Sequence, residues 1–400
     1  MPLDLNFTAE EHAFRDAART FFRTAIPESI RAKVARGEGL TRDDLITSQR
    51  ILNARGWATV NWPVEWGGRD WSPVQVYLFQ DEMQQAHCPP PIAFNVSMVG
   101  PVIAQFGTEE IKRRFLPPTA NADIFWCQGF SEPGSGSDLA SLRTKAERRG
   151  DAYVVNGQKT WITLAHYADW IFCLVRTDPT AKAQEGISFL LIDLKTPGIT
   201  VRPIVTIDGG REVNEVFFDG VEVPAENLVG EENKGWDYAK FLLGHERTSI
   251  AGVVASKAKI ARIKQLAALE FVGGKPLIET PRFLEKLASV EVELKALEMT
   301  QLRVVSDERT LAKERQNPAS SILKLKGSVI RQQLTELLME VVGPYVLPYR
   351  RDFDGDDEPA IGPDYASEAA PTYFNYRKVS IYGGTNEIQR NIIAKAILGL

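Results

Sequence analysis

The chain has 400 residues, 44% of them hydrophobic and 25% charged, with a formal net charge of −5 at pH 7. That is the balance of an ordinary globular protein long enough for two or three domains. Its acidity argues against a nucleic-acid or anionic-membrane partner, although local basic patches for a phosphorylated ligand stay open. No hydrophobic run is long enough to span a bilayer, and Met1-Pro-Leu-Asp4 lacks the basic and apolar regions of a signal peptide, so a cytoplasmic location is expected. Cys88, Cys127 and Cys173 are scattered in apolar contexts and the four histidines lack ligand spacing, so neither a disulfide framework nor a metal is expected.

Residues 1–120 read as an N-terminal α-helical domain. Thr8 and Glu11 form a capping box behind Phe7, and apolar residues recur at Phe14, Ala18, Phe21 and Phe22. A second helix is expected from about Asp43 to Gly56 and a third around Val74 to Gln85. The Trp62-Pro-Val-Glu-Trp-Gly-Gly68 cluster reads as a packed turn, and further helices are expected to end near Pro117-Pro118.

From 121 to 230 the pattern changes to a β domain of sandwich or barrel type. Ile124-Phe-Trp-Cys127 reads as an entering strand, followed by Trp170 to Val175, Ile187 to Leu194, Ile199 to Ile204 and Val213 to Phe218. Behind the entering strand comes Gln128-Gly-Phe-Ser-Glu-Pro-Gly-Ser-Gly-Ser-Asp138. Gly134 and Gly136 let the main chain approach an anion, Ser137 adds a hydroxyl, and Pro133 stiffens the turn, which suits a pyrophosphate. Alternating apolar residues around Asn156-Gly157 predict a hairpin with a type I′ turn, whose second strand continues through Trp161 to Thr163. An indole and a hydroxyl two residues apart share a strand face and can flank a flat heteroaromatic ring. A core Trp with an exposed Thr gives the same local pattern.

Residues 231–400 return to helix. Phe283, Leu287, Val290, Leu294, Leu297, Leu302 and Val305 follow three-or-four spacing, and another helix runs from about Pro318 to Val342 before Gly343-Pro344. Leu242, Glu246, Ile250 and Val253 fall on one helical face, which sets a lone carboxylate in an apolar stripe. Burial there raises a carboxyl pKa toward neutrality, where it is a better base; a partly exposed Glu neutralised by a nearby cation fits the same spacing. Arg350 to Pro371 is expected to be a loop, with a last helix from about Thr385.

The order Phe130-Ser-Glu-Pro-x-x-Gly-Ser-Asp138, Asn156-Gly-x-Lys-x-Trp-Ile-Thr163 and Gly383-Gly-Thr-Asn-Glu-Ile-Gln-Arg390 resembles the acyl-CoA dehydrogenase family from end to end. The resemblance implies an α+β fold: an N-terminal helical domain, a middle β domain and a C-terminal four-helix bundle. It also implies FAD-dependent oxidation of an acyl-CoA to the trans-2-enoyl-CoA, with an electron-transfer flavoprotein as acceptor. Gln128, Phe130, Ser131, Trp161 and Thr163 match family positions along the flavin ring, Gly136 and Ser137 the pyrophosphate loop, and Thr385 and Glu387 a helix start near the cofactor. Ser137, Arg247, Tyr382 and Gly383 match positions near the acyl-CoA. In many members a Glu stands where this chain has Gly383, which leaves only a backbone N–H for the thioester. In others the base comes from the helix after the β domain, and the matching residue is Glu246.

Two family segments that reach a neighbouring subunit's FAD are altered. Glu270-Phe-Val-Gly-Gly274 carries Glu270 for an arginine and Gly273 for an aromatic residue, and Glu340-Val-Val-Gly-Pro344 carries Glu340 for a glutamine and Pro344 for a glycine. An acid repels a diphosphate and proline removes an N–H donor. The pattern resembles the larger subunit of bacterial two-subunit members, which implies an α2β2 assembly in which a second dehydrogenase-like chain completes the site. A non-catalytic partner subunit and an acyl-CoA oxidase are the alternative functions, and a homo-oligomer the alternative assembly.

Overall fold

The computed structural model describes residues 7–308, 318–348 and 361–400, apart from the side chains of residues 73, 244–250 and 305–308. The N-terminal helices are α1 (Ala9–Ala25), α2 (Glu28–Arg36), α3 (Arg42–Arg55), α4 (Pro73–Gln85), α5 (Gly100–Phe106) and α6 (Glu109–Ala120), with a π-helical stretch at Phe94–Val99 before α5. The capping box forms as expected: the Glu11 N–H donates to the Thr8 hydroxyl at 3.2 Å, and the Thr8 N–H to the Glu11 carboxylate at 2.8 Å. Ala18 and Phe22 are fully buried, with Phe14 and Phe21 packed against the same cluster. The Trp62 turn is a packed turn, its indole donating to the Val96 carbonyl at 2.7 Å. Helix α6 runs past Pro117-Pro118. A proline loses its N–H but keeps its carbonyl, and that of Pro117 accepts the Asn121 N–H at 3.1 Å.

The middle of the chain forms a β half-barrel from β1 (Trp126–Gly129), β2 (Lys145–Arg149), β3 (Ala152–Thr163), β4 (Trp170–Arg176), β5 (Ile187–Asp193), β6 (Ile199–Ile204) and β7 (Val213–Pro224). The strand order is β1-β4-β2-β3-β7-β6, with β5 on the other edge of β4. β1 runs parallel to β4, which β5 pairs antiparallel. One sheet face packs on α5, α6 and the following helix through Trp126, Phe172 and Phe189, and the other encloses Tyr153, Val155, Ile171 and Val216.

Two expectations here are corrected. Asn156-Gly157 is not a hairpin turn but a bulge inside the 12-residue strand β3, where the pairing with β7 slips between Val155 and Gly157. The Asn156 side chain accepts the Gly220 N–H at 2.8 Å, and a Cβ on Gly157 would stand 2.6 Å from the Thr144 hydroxyl. The glycine therefore answers a close approach rather than a reversal. The reversal lies at Gly150-Asp151, between the paired residues Arg149 and Ala152. The entering strand also starts at Trp126 instead of Ile124, because the Ile124 carbonyl and Phe125 N–H are taken by the side chains of Asn95 and Asp169.

The remaining elements are α7 (Gly235–Ile250), α8 (Val253–Leu269), a small hairpin of β8 (Phe271–Val272) and β9 (Lys275–Pro276), α9 (Pro281–Glu308), α10 (Ser320–Val342), α11 (Ala369–Asn375) and α12 (Asn386–Ile393). Helix α10 is the centre of this bundle, packing on α7, α8, α9, α11 and α12. Phe283, Leu287, Val290, Leu294 and Leu297 form the buried face of α9 as expected. Toward its end Val304 is buried and Leu302 only partly so, and the Val305 side chain lies outside the described residues. The apolar stripe from Leu242 to Val253 is not one helix face. Gly252 at φ 63° separates α7 from α8, and Val253 opens the second helix. Of the expected loop 350–371, residues 350–360 lie outside the described residues and Ala369–Pro371 already belong to α11.

Because an added Cβ at Gly157 would press on Thr144 just before β2, and Gly157 has φ 151°, Gly157→Ala should cost about 1–3 kcal/mol. Gly39→Ala, where an added Cβ meets nothing within 4 Å, should be neutral. Urea midpoints of the two variants check this.

Candidate active site

The loop after β1 is held from below by a buried ion pair. The Lys159 ammonium, 0% exposed, donates to the Glu132 carboxylate at 2.8 Å and to the Phe130 carbonyl at 3.1 Å. Glu132 also accepts the backbone N–H groups of Arg143 at 2.6 Å and Thr144 at 2.9 Å. Burial pushes this carboxyl pKa up, but Lys159 and the N–H donors reverse it and leave it below the ordinary value. One residue on, the Thr160 N–H donates to the Ser131 carbonyl at 3.0 Å. Phe130 and Ser131 are thereby laid against β3.

On β3 the backbone is irregular next to this loop. Pairing with β7 slips again between Lys159 and Ile162, and Trp161 takes a left-handed φ of 61°. A bulky residue adopts that region only under strain. The slip turns both Lys159 and Thr160 inward and leaves the Trp161 indole 60% exposed, with Thr163 half-buried two residues on and Ile162 buried between them. Gln128 on β1 carries a buried amide nitrogen with no partner among the described residues. A buried donor without an acceptor is an incomplete arrangement. Gly136 and Ser137 are exposed at the loop tip, and neither Gly134 nor Gly136 would meet anything with an added Cβ. The protein's own packing does not demand these glycines.

The C-terminal motif is a glycine turn. Gly383 and Gly384 have φ 64° and 80°, and their carbonyls accept from the buried Gln389 amide at 3.4 Å. A glutamate at 383 would have to adopt the left-handed region. Thr385 caps α12 by accepting the Ile388 N–H at 3.2 Å, while Glu387 is exposed and ion-paired with Arg390 at 3.2 Å. Their partners here are therefore those of a helix start. Buried Asn386 ties the motif to α10 by accepting from Lys324 and from Ser328, each at 3.0 Å. Burial brings the Lys324 ammonium down to about 8. Tyr382 stands at the edge of the turn, 39% exposed.

Glu246 and Arg247 lie on α7, but their side chains are outside the described residues. The helix itself packs on β5, the π-helical stretch, α5 and α10. Leu242, one turn before Glu246, is buried in the core shared with the sheet.

Three supporting residues went unassigned in the sequence. Glu132 and Lys159 both lie inside recognised motifs, and a lysine in the middle of an expected strand is the signal that could have exposed the pair. Asn95 carries no such signal. Its amide donates to the Thr119 carbonyl at 2.9 Å and the Ile124 carbonyl at 2.7 Å, and its oxygen accepts the Trp126 N–H at 3.1 Å, fixing where β1 begins.

Removing one member of a buried ion pair strands the other, at about 3–5 kcal/mol. Lys159→Met should lose that much, and Lys159→Met with Glu132→Leu should recover part of it; chemical denaturation of the two variants is the measurement.

Models of the acyl-CoA dehydrogenase N-terminal, middle and C-terminal domains match residues 8–123, 127–221 and 233–398. Acyl-CoA dehydrogenase IpdE1 of Mycobacterium tuberculosis is 36% identical over 352 residues, covering 87% of this chain and 86% of the relative. Acyl-CoA dehydrogenase FadE26 of the same organism is 32% identical over 406 residues, covering 99% and 98%. Among solved structures, the ChsE4-ChsE5 complex of Mycobacterium tuberculosis superposes with a TM-score of 0.83 at 31% identity, covering 100% of this chain and 99% of that one. The Tcur3481-Tcur3483 steroid ACAD gives 0.84 at 29%, with the same coverage. Matched in order by all three domain models, the chain belongs to the acyl-CoA dehydrogenase family of oxidoreductases.

Proposed function

We propose that this chain catalyses the α,β-dehydrogenation of an acyl-CoA thioester to the trans-2-enoyl-CoA with FAD, using Glu246 as base, as the larger subunit of a two-chain assembly. The observation that carries this reading is the buried Gln128 amide nitrogen on β1, without a partner among the described residues, near a strand whose bulge exposes the Trp161 indole. A flat heteroaromatic ring with acceptors on its edge fits both, and Phe130, Ser131 and Thr163 are the neighbouring contacts. Gly136, Ser137, Thr385 and Glu387 are assigned to the cofactor's polar portion, although the last two already have partners in the chain. When bound, FAD accepts the hydride from the β-carbon.

The rest is the work of the chain. The α-C–H of a thioester is a very weak acid, so its removal needs a carboxylate base and N–H donors on the carbonyl where enolate charge develops. Glu246 takes the proton and the Gly383 N–H donates to the carbonyl, with Arg247, Ser137 and Tyr382 contacting the acyl-CoA. An electron-transfer flavoprotein is the assigned acceptor. Gly383 also favours a second reading, a partner subunit without a base, because the residue that carries the base in many relatives is absent here.

The assembly rests on the state of the altered half-site. Glu270 is hydrogen-bonded by the Tyr365 hydroxyl, Glu340 is paired with Lys286 at 2.6 Å, and Pro344 is the second residue of the 3₁₀ turn Gly343–Val346. None of the three offers a cation or an N–H to a diphosphate. Around them Leu269, Phe271 and Val272 are 66%, 64% and 57% exposed, an apolar edge suited to a partner. The heteromeric structures similar to this chain support the same reading.

Glu246→Gln should lower kcat about 10²–10⁴-fold in the assembled enzyme with its flavin content unchanged, read by anaerobic flavin bleaching with acyl-CoA; undiminished bleaching would refute the base. Purified alone, the chain should hold FAD weakly and gain about one FAD per pair on co-expression with the second subunit. Tight, stoichiometric FAD in a homo-oligomer would overturn the two-chain reading.

A further inference from the structure

Behind the glycine turn, two cations face one phenol. Lys259 on α8 places its ammonium 4.4 Å from the centre of the Tyr376 ring, and Arg331 on α10 its guanidinium 5.0 Å from the same ring. Among the described residues, neither cation is ion-paired with a carboxylate. Arg331 also faces the phenol of Tyr382. Its Cδ lies 3.2 Å from where a Cβ on Gly252 would stand, at the break between α7 and α8. The cluster therefore sits between the end of α7 and the Tyr382-Gly383 turn.

Two half-buried positive charges with no carboxylate partner among the described residues, hydrogen-bonded instead to the Tyr376 phenol and, for Arg331, to that of Tyr382, make a field that favours an anion. The Tyr376 phenol registers it: burial pushes its pKa up, yet Lys259 and Arg331 reverse the shift and bring it below the ordinary value. Cation–π contacts with Tyr376 hold the two side chains in place without neutralising them. Such a pair is costly unless something anionic arrives.

On the reading that Glu246 and Gly383 act at the thioester, Gly252 lies six residues beyond the base. That is roughly 9 Å along a helix, within reach of a medium acyl chain. We infer that Lys259 and Arg331 bind a carboxylate carried by the acyl chain of the substrate, so that the preferred substrates are acyl-CoA thioesters with a second, distal acid group. This rests on the proposed dehydrogenase site and names its substrate class. A phosphate of the cofactor or of CoA is the other anion the pair can hold.

The test uses the assembled, FAD-loaded enzyme and two redox-inert 3-thia-acyl-CoA analogues of equal chain length, one ending in carboxylate and one in methyl. The wild type should bind the carboxylate analogue at least about ten-fold more tightly, the scale of one charged hydrogen bond. In Arg331→Met that ratio should fall to near one, and Arg331→Lys should keep part of it. Lys259→Met should lower the ratio in the same direction, and it serves if Arg331→Met does not fold. A wild-type ratio of one, or a ratio untouched by both methionine variants, overturns the inference. So does equal weakening of both analogues together with loss of FAD, which would assign the anion to a phosphate. Carboxylate-selective binding without any flavin bleaching by oxidisable acyl-CoA would sink the dehydrogenase reading and leave this one standing.

Discussion

The candidate site depends first on a buried ion pair. Taking Glu132 and Lys159 out of water costs several kcal/mol for each ion, and the loss is offset only because Arg143, Thr144 and the Phe130 carbonyl complete their hydrogen bonds. Such a pair is a poor source of net stability and a good source of register. It admits one placement of the loop on β3, since any slip leaves a charge unpaired in the core. The exposed part of the site inherits that precision. Gln128, Phe130 and Ser131 come from one strand end, Trp161 and Thr163 from another, and the bond between the Thr160 N–H and the Ser131 carbonyl joins them.

A second constraint comes from one face of α10. Lys324, Ser328 and Arg331 lie four and then three residues apart, so all point to the same side of the helix. The first two fix the start of α12 through Asn386, and the third reaches the break after α7. Between them Gly327 comes so close to Ala251 that a Cβ would stand 2.3 Å from its carbonyl. The helix proposed to carry the base and the turn proposed to hold the thioester are thus positioned by the same element. That lets a glycine at 383 be tolerated: the backbone remains in place when the side chain is gone.

The altered half-site has a similar logic. An acid introduced into a phosphate-binding position would be isolated and costly, but here Glu270 and Glu340 each find a partner within the chain, in Tyr365 and Lys286. The substitutions are absorbed as ordinary surface contacts, and the apolar hairpin at Phe271 and Val272 stays outward. On the two-chain reading, this exposed apolar surface is where the second chain would sit.

The sequence alone determined the family, the succession of helical and β regions and most individual elements. The signals for these are local: the Thr8 capping box, the spacing along α9 and the Val- and Ile-rich strands that became β4 and β5 can all be recognised within a few turns of chain. It also singled out the loop from Gln128 to Asp138 and the Trp161 segment, because glycine, proline and aromatic residues are distinctive by type. Only the tertiary structure decided how those pieces meet. Asn156-Gly157 has the composition of a hairpin turn, yet Thr144 and Gly220 on neighbouring segments make it a bulge. Glu132 and Lys159 look like two surface charges until the fold buries them against each other. Gly252 interrupts an unbroken apolar stripe because α10 crosses at that point, and Lys259 and Arg331 converge on Tyr376 from two separate helices. In each case the deciding energy is a long-range contact, and a pattern read along the chain contains no term for what will stand opposite.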